Sequence, residues 1–185
     1  MSQSSSAPGQ ARVAIVFGSP SDAQTMSKAG ATLERFGVGY EEVSISAHRA
    51  PRALAEYVGQ LRGRGISVVI AGAGLAAALP GAVASMTTLP VIGVPISGGA
   101  LDGMDSMLAI AQMPPGVPVA TVGLNNSTNA AILATQILAL ADPDLSLRLA
   151  EFKDDFERAA ADGLAALAAP ADATAGAGAS VGAGQ

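Results

Sequence analysis

The sequence predicts an α/β domain with a parallel sheet of about five strands and helices on both faces. Short apolar runs alternate along the chain with segments of helical periodicity, the order typical of parallel strands joined by helical crossovers. The apolar runs end in glycine, proline or polar residues, as strands buried on both faces do. An all-helical bundle is not expected, because these runs are too short for buried helices.

The first half of the chain predicts three strands and two helices. Residues 12–17, RVAIVF, form a short apolar run that ends at a glycine. Residues 22–36 carry apolar side chains at helical spacing, and a glycine follows them. Residues 40–45 predict a half-polar strand. Residues 51–64 predict a helix that begins with proline, which the first turn permits, and residues 67–71, SVVIA, predict the third strand.

The second half continues the alternation with two strands and four helices. The strands, the first of which reads PVIGVP, cover residues 90–95 and 117–122. A small-residue stretch leads into a short helix that ends near Met86. The other helices are predicted at residues 104–112, 126–140 and 145–166.

The two ends of the chain differ in composition from the segment between them. We expect residues 1–10 to be disordered, residues 11–167 to form a single domain, and residues 168–185 to be a disordered Ala/Gly-rich tail. The first ten residues lack the apolar region of a signal peptide. No stretch of about 18 apolar residues predicts a membrane span. We therefore expect a cytoplasmic protein.

Composition also restricts the chemistry. The chain has no cysteine, which excludes disulfides, thiolate metal sites and cysteine nucleophiles. With one histidine, it is not expected to hold zinc. The formal net charge of −5 argues against nucleic-acid binding. Half of the residues are hydrophobic and only 3% are aromatic, so aliphatic side chains must fill the core.

Small and polar residues follow every predicted strand, and the carboxyl edge of a parallel sheet is where such folds bind ligands. The first strand leads into Gly18–Asp22 and directly into a helix, whose free N–H groups attract anions. Ser19 adds a hydroxyl donor there, and Asp22 could hold ribose hydroxyls. The alternative is that Ser21 and Asp22 only cap the helix. The fourth strand leads into Ser97, Gly98 and Gly99, and the fifth into Asn125 and Asn126.

The second strand ends at His48 and Arg49. Histidine is the side chain best suited to move protons near neutral pH, and an adjacent arginine can fix a phosphate. A lone histidine can equally be structural or simply exposed. The third strand leads into Gly72–Gly74, where glycine lets the backbone approach a ligand closely. A tight turn is the alternative there.

Six segments carry a resemblance to a known family. They are VAIVFGSPSD, SAHRAP, IAGAGLAAALPG, PVIGVP, LDGMDSMLAIAQMPPGVPVATV and TNAAILATQIL. In order and spacing they resemble the class I PurE family, the 5-(carboxyamino)imidazole ribonucleotide mutases, related to aminoimidazole ribonucleotide carboxylases. The resemblance covers about residues 11–155. It implies a three-layer, flavodoxin-like (Rossmann-like) fold, a homo-octamer, and a step of purine biosynthesis in which a carboxyl group moves from nitrogen to a ring carbon.

The resemblance also implies roles for individual residues. The ribonucleotide substrate would lose carbon dioxide in a closed site and take it up again on the ring, with no metal and no organic cofactor. By motif match His48 would handle the proton, and Arg49 would contact the phosphate. Ser19 and Asp22 would contact the ribose-phosphate. The remaining residues expected to line the site are Ser46, Ala47, Ala73 and Gly74.

Three departures from the family pattern fall on the predicted active-site edge. Leu75 replaces a glycine and Ala78 a histidine in the loop after the third strand, which should stiffen the loop and remove a polar group. From these two changes alone we expect carbon dioxide to be lost more readily than it is delivered to the ring. Ala23 stands where the family carries tryptophan. Leu124–Thr128, including Asn125 and Asn126, replaces a Gly/Ala-rich turn.

Three hypotheses therefore remain open: the purine mutase itself, a paralogue that carboxylates or decarboxylates another azole nucleotide in secondary metabolism, and a non-catalytic nucleotide-binding member. Retention of the serine, aspartate, histidine and arginine named above favours an enzyme. For assembly, the family and an apolar surface predicted on the late helices both indicate a homo-octamer. The side chains expected to be exposed there are Ile132, Leu133, Ile137 and Leu138.

Overall fold

The computed structural model describes residues 10–168 and contains five strands and six α-helices in that range. The strands are β1 (Val13–Phe17), β2 (Tyr40–Ser44), β3 (Val68–Gly74), β4 (Val91–Ile96) and β5 (Ala120–Thr121). The helices are α1 (Ala23–Arg35), α2 (Pro51–Gln60), α3 (Leu79–Met86), α4 (Met104–Ala111), α5 (Ser127–Ala139) and α6 (Pro143–Ala168). Short 3₁₀ helices lie at Pro20–Asp22 and Arg62–Arg64.

All five strands form one parallel sheet in the order β2-β1-β3-β4-β5. This is the flavodoxin-like order, in which successive strands move to opposite sides of β1. The switch point lies between β1 and β3, where the loops that follow the two strands diverge and open a crevice. The predicted fold class, a three-layer α/β domain with a parallel sheet, is confirmed.

The central strands are buried because helices cover both faces of the sheet. Every residue of β1 and β4 is buried, and the largest fully buried side chains are aliphatic, among them Ile15, Ile70 and Ile92. Burying one such side chain contributes about 1.5–3 kcal/mol. The edge strand β2 instead alternates between more buried and more exposed residues. One glycine is required by packing: a Cβ at Gly72 would lie 2.3 Å from the Met26 sulfur, which brings α1 close against β3.

Several element boundaries differ from the predictions. Strand β3 continues to Gly74 rather than ending at residue 71, because its last residues still pair with β4. Strand β5 has only two residues instead of six. Pro118 has no N–H to donate to the ladder, and Val117 is held in a turn by its N–H bond to the Pro114 carbonyl.

The helix boundaries differ less. Helix α2 ends at Gln60, and the predicted remainder, up to residue 64, contains a 3₁₀ turn closed by Gly65 in the left-handed conformation.

The prediction of an exposed apolar face on α5 is wrong. Leu138 is buried, while Ile132, Leu133 and Ile137 are half-buried. The reason is that α5 packs against α1 as well as against β3 and β4, so the helix is covered on more than one side. Large exposed apolar side chains of the α/β unit lie near the carboxyl edge of the sheet, at Leu75, Leu101, Met104, Leu108 and Leu124, and elsewhere at Met86, Leu140 and Leu147.

The described residues form two compact units. Within the described residues, one compact unit extends to Leu149 and a second begins at Ala150, inside α6. The tails predicted to be disordered fall almost entirely outside the described residues. The boundaries at residues 11 and 167 therefore stay a prediction.

Candidate active site

One cavity of about 580 Å³ opens at the carboxyl ends of β1, β2, β3 and β4. The parallel strands deliver their following loops to the same edge, so residues far apart in sequence meet there. The ten residues predicted for the site in the loops of β1, β2 and β3 all line it: Ser19, Asp22, Ser46, Ala47, His48, Arg49, Ala73, Gly74, Leu75 and Ala78. Their grouping in one cavity is an observation of the structure, whereas their roles remain expectations.

The β1 loop forms a polar corner of the cavity. Ser19 caps the 3₁₀ helix Pro20–Asp22: its Oγ accepts hydrogen bonds from the Ser21 N–H, at 3.4 Å, and from the Ser21 hydroxyl, at 2.9 Å. Asp22 makes no side-chain cap to α1, so the capping alternative does not account for its carboxylate. Partial burial raises the pKa of Asp22, and this outweighs the hydrogen bonds from the Ser21 side chain and the Ser19 backbone, which lower it. A carboxylate desolvated in this way gains from a ligand hydroxyl.

The β2 loop is tied to the β1 loop through Arg49. Its guanidinium donates to the Gly18 carbonyl at 3.1 Å, and its backbone N–H donates to the Ser46 Oγ at 3.3 Å. An arginine carries five N–H donors. Within residues 10–168 the Arg49 guanidinium makes one hydrogen bond, the bond to the Gly18 carbonyl. His48 is exposed. Its ring has no hydrogen-bond partner in the described part of the chain, so it is accessible to a ligand in the cavity.

The loop between β3 and α3 forms an apolar wall. Leu75 and Ala77 have φ angles of 55° and 32°, in the left-handed region that costs a non-glycine residue about 1–2 kcal/mol. The Leu75 side chain covers Gly99, where a Cβ would lie 2.6 Å from Leu75 Cδ2. Ala78 immediately precedes α3 and has no polar side-chain atom. The loop departures at residues 75 and 78 therefore do face the cavity.

The other two departures do not line the cavity. Ala23 is the first residue of α1. Asn126 caps α5 through an Oδ1 that accepts the Asn129 N–H at 3.0 Å. Asn125 sits behind the cavity, bonded to Ser97. Of the three departures expected at the active-site edge, the one in the β3 loop thus lines the cavity, while Asn125 and Asn126 fix their neighbours.

Ser97 follows β4 at the edge where the sequence predicts ligand binding, but no role of its own is predicted for it from the sequence. It lines the cavity directly after β4, together with Gly98 and Gly99. The available signal was a polar side chain that follows a fully apolar strand. Among residues 10–168, no three His, Asp or Glu side chains form a group that could hold a metal ion. None of the helices in that same range is long and apolar enough to cross a membrane.

Comparison with known proteins places these observations in one family. Residues 12–159 match the AIR carboxylase family. The chain is 51% identical over 150 residues to an N5-carboxyaminoimidazole ribonucleotide mutase of Pyrococcus abyssi, covering 81% of this chain and 86% of the relative. It is 51% identical over 147 residues to the mutase of Thermotoga maritima, covering 80% and 86% of the two chains.

Two further comparisons concern a larger relative and a solved structure. A phosphoribosylaminoimidazole carboxylase of Saccharomyces cerevisiae is 53% identical over 140 residues, which are 76% of this chain but 24% of the yeast protein. The crystal structure of Treponema denticola PurE superposes with a TM-score of 0.79 at 25% identity, covering 85% of this chain and 98% of that one. Since the family match spans the sheet and every loop of the cavity, this chain belongs to the AIR carboxylase family.

Proposed function

We propose that this protein is a 5-(carboxyamino)imidazole ribonucleotide mutase of purine biosynthesis. The observation that carries the proposal is the cavity in which His48 and Arg49 stand beside Ser19 and Asp22, opposite an apolar wall. Relatives with about half of their residues identical, over most of both chains, are named for this activity.

The polar corner binds the ribose-phosphate in this proposal. Arg49 supplies a guanidinium to the phosphate, and Ser19 supplies a hydroxyl. Asp22 accepts hydrogen bonds from ribose hydroxyls, which offsets the desolvation that raises its pKa. Ser46 and Ala47 support this corner from the β2 side, where Ser46 holds the Arg49 backbone. The bond from Arg49 to Gly18 keeps the two loops at a fixed spacing.

The imidazole end of the nucleotide then extends toward the β3 loop, where the reaction takes place. The bond between the exocyclic nitrogen and the carboxyl carbon breaks, carbon dioxide is released into the cavity, and the nitrogen takes a proton from His48. The ring carbon next attacks carbon dioxide and forms the new carbon–carbon bond. It finally returns its own proton to His48, so no net proton is consumed.

Retention of carbon dioxide depends on the apolar wall. Ala73, Gly74 and Ala78 form a wall of small side chains without hydrogen-bond donors, which limits access of water on that side and keeps carbon dioxide next to the ring carbon. No organic cofactor or metal enters this scheme. The carboxylase activity named for the yeast relative would be the same second half-reaction with carbon dioxide from solution.

We also propose that the protein is a cytoplasmic homo-octamer, as the family resemblance implies. The support from the structure is the cluster of exposed apolar side chains near the carboxyl edge, with Leu101 and Met104 each more than half exposed. A mass near 18.1 kDa by light scattering, the mass of one chain, would contradict the assembly.

Complementation tests the proposed pathway. We expect the gene to restore growth without added purine to a bacterial strain that lacks its own mutase. A His48→Asn variant expressed to the same level is the matched control and should not restore growth. Failure of the wild-type protein, while it still binds nucleotides in vitro, would favour the paralogue or the non-catalytic member.

A further inference from the structure

The two halves of the cavity differ in their side-chain hydrogen-bond donors. The half formed by the β1 and β2 loops carries three serines, a histidine and an arginine. The half formed by the β3 and β4 loops is lined by alanine, glycine, leucine and isoleucine. Among the described residues of that second half, Ser97 is the one polar side chain.

Asn125 fixes Ser97 through two hydrogen bonds. The Ser97 backbone N–H donates to Asn125 Oδ1 at 2.9 Å, and Asn125 Nδ2 donates to Ser97 Oγ at 2.7 Å. Because a backbone N–H can only donate, the amide oxygen must face it. The amide nitrogen then faces the hydroxyl, so Ser97 Oγ is the acceptor in the second bond.

The hydroxyl of Ser97 therefore keeps its own proton for another partner. A serine hydroxyl has one donor and two acceptor positions, and Asn125 occupies an acceptor position. Within residues 10–168 the hydroxyl proton of Ser97 has no hydrogen-bond acceptor. Ser97 lines the cavity and is only partly exposed, so a ligand in the cavity is the partner best placed to accept this proton.

Hydrogen bonds from Asn125 and from Ser106 fix the backbone next to Ser97. The Asn125 N–H donates to the Pro95 carbonyl at 2.8 Å, and Asn125 adopts a φ of 57°, a left-handed conformation that asparagine tolerates better than most residues. The fully buried Ser106 Oγ contacts the Ile96 carbonyl at 3.1 Å and the Gly103 carbonyl at 2.9 Å. Ser97 is thus a preorganised donor on a fixed backbone.

Building on the proposed function, we propose that the Ser97 hydroxyl donates a hydrogen bond to the substrate's migrating carboxylate and that Asn125 is the positioning residue that directs it. The substrate carries two anionic groups. Arg49 and the β1 loop take the phosphate. Strand β4 is two strands from β1, about 10 Å at the usual spacing. The carboxylate at the other end of the nucleotide thus falls in the half where Ser97 is the side-chain donor.

Equilibrium binding of two nucleotides tests this assignment. The probes are 5-aminoimidazole ribonucleotide, which has no carboxylate, and its 4-carboxylated form. Wild type should bind the carboxylated form more tightly. Ser97→Ala should weaken binding of that form by about 10- to 100-fold, the range for a hydrogen bond to a charged group, and leave binding of the uncarboxylated form unchanged. Equal weakening of both nucleotides, or no weakening, would overturn the proposal.

Asn125→Asp tests the positioning role. An aspartate still accepts the Ser97 backbone N–H, but its second oxygen accepts the hydroxyl proton and turns it away from the cavity. Binding of the carboxylated nucleotide should therefore fall about as far as in Ser97→Ala, and adding Asn125→Asp to Ser97→Ala should cause little further loss. A full additional loss in the double variant would show that the new charge acts alone, and would contradict the positioning role.

Asn126→Asp is the matched control for charge. It introduces the same charge one residue away, and aspartate preserves the helix cap. Binding should stay as in wild type. The binding assay is independent of turnover: a wild-type protein that prefers the carboxylated nucleotide through Ser97 but does not isomerise it would refute the mutase proposal and support this one. No carboxylate preference in the wild type would refute this inference whatever the turnover.

Discussion

The two halves of the cavity are built by different means. The β1–β2 half presents charged and polar side chains that are linked across the loops, as Arg49 is to Gly18. The β3–β4 half is formed by small residues and by backbone in uncommon conformations, with Leu75 and Ala77 in the left-handed region. The first half suits the binding of an anionic ligand, and the second suits the confinement of a small neutral one.

The two halves should therefore have different tasks: the polar half mainly binds the nucleotide, and the apolar half mainly retains carbon dioxide. Most of the binding energy for the nucleotide should come from charge-assisted hydrogen bonds in the polar half. Apart from the Ser97 hydrogen bond to the carboxylate, the apolar half adds little affinity, but it governs what happens to carbon dioxide once it is released. His48 follows β2, so the group that exchanges the proton belongs to the polar half. Substitutions in the two halves should therefore affect different measured quantities.

The largest effect is expected at His48. His48→Asn should reduce kcat by at least about 100-fold, because a general acid–base group contributes about that much or more. Nucleotide affinity and thermal stability should stay close to wild type, because the side chain is exposed and makes no hydrogen bond within residues 10–168. Steady-state kinetics, binding and thermal melting together check this. Turnover at the wild-type rate would remove His48 from the mechanism.

Arg49→Ala should produce the next largest effect, in affinity. Loss of the guanidinium should weaken binding of both nucleotides by about 10- to 100-fold, since a hydrogen bond to a charged group contributes about 1.5–3 kcal/mol. The carboxylated and uncarboxylated forms should lose affinity equally, unlike in Ser97→Ala. Arg52→Ala is the matched control, because Arg52 is exposed and does not line the cavity. Equal losses in the two arginine variants would mean that only the net charge matters.

The smallest effect is expected at Asp22, in stability. Because burial raises its pKa in the folded protein, the folded state holds the Asp22 proton more tightly than the unfolded state. Its contribution to stability is therefore fully present below its ordinary pKa of 3.8 and is lost as pH rises through the raised value. Asp22→Asn should thus be slightly more stable than wild type at pH 7, and this advantage should shrink on acidification.

Asp22→Asn should also bind the nucleotide less tightly, because the amide accepts ribose hydroxyls more weakly than a carboxylate does. Denaturant titrations at pH 7 and pH 4, together with a binding curve, measure both effects. A variant less stable than wild type at pH 7 would show that the carboxylate has a structural partner that outweighs its desolvation.

The degree of burial decided which elements of the fold could be predicted from the sequence. Strands β1 and β4 were predictable because they are buried on both faces and are therefore continuously apolar. Strand β5 was predicted too long because apolar residues flank Pro118, and only the pairing shows that the ladder begins after it. Leu138 was placed at the surface because periodicity identifies an apolar face but not the elements that cover it.

The site was predictable to the extent that it depends on strand ends. His48, Arg49, Ser19 and Asp22 come together because parallel strands deliver their loops to one edge. The position of Ser97 after the fourth strand was predictable, but the orientation of its hydroxyl was not, because an amide 28 residues further along the chain sets it. A pairing of that kind depends on the position of β5 beside β4, which periodicity alone does not give.

Isotopic labelling tests the central claim, that one half of the cavity holds the nucleotide while the other confines carbon dioxide. The carboxyamino nucleotide, labelled in its carboxyl group, is supplied with an excess of unlabelled bicarbonate. Label on the ring carbon of the product and label released to solution are then counted. The changes at Leu75 and Ala78 alone predict release of the label. Because relatives with about half of their residues identical are named mutases, we predict instead that most of the label is found on the ring carbon. Release of the label, with unlabelled carboxyl on the ring or no ring carboxylation, would contradict the account.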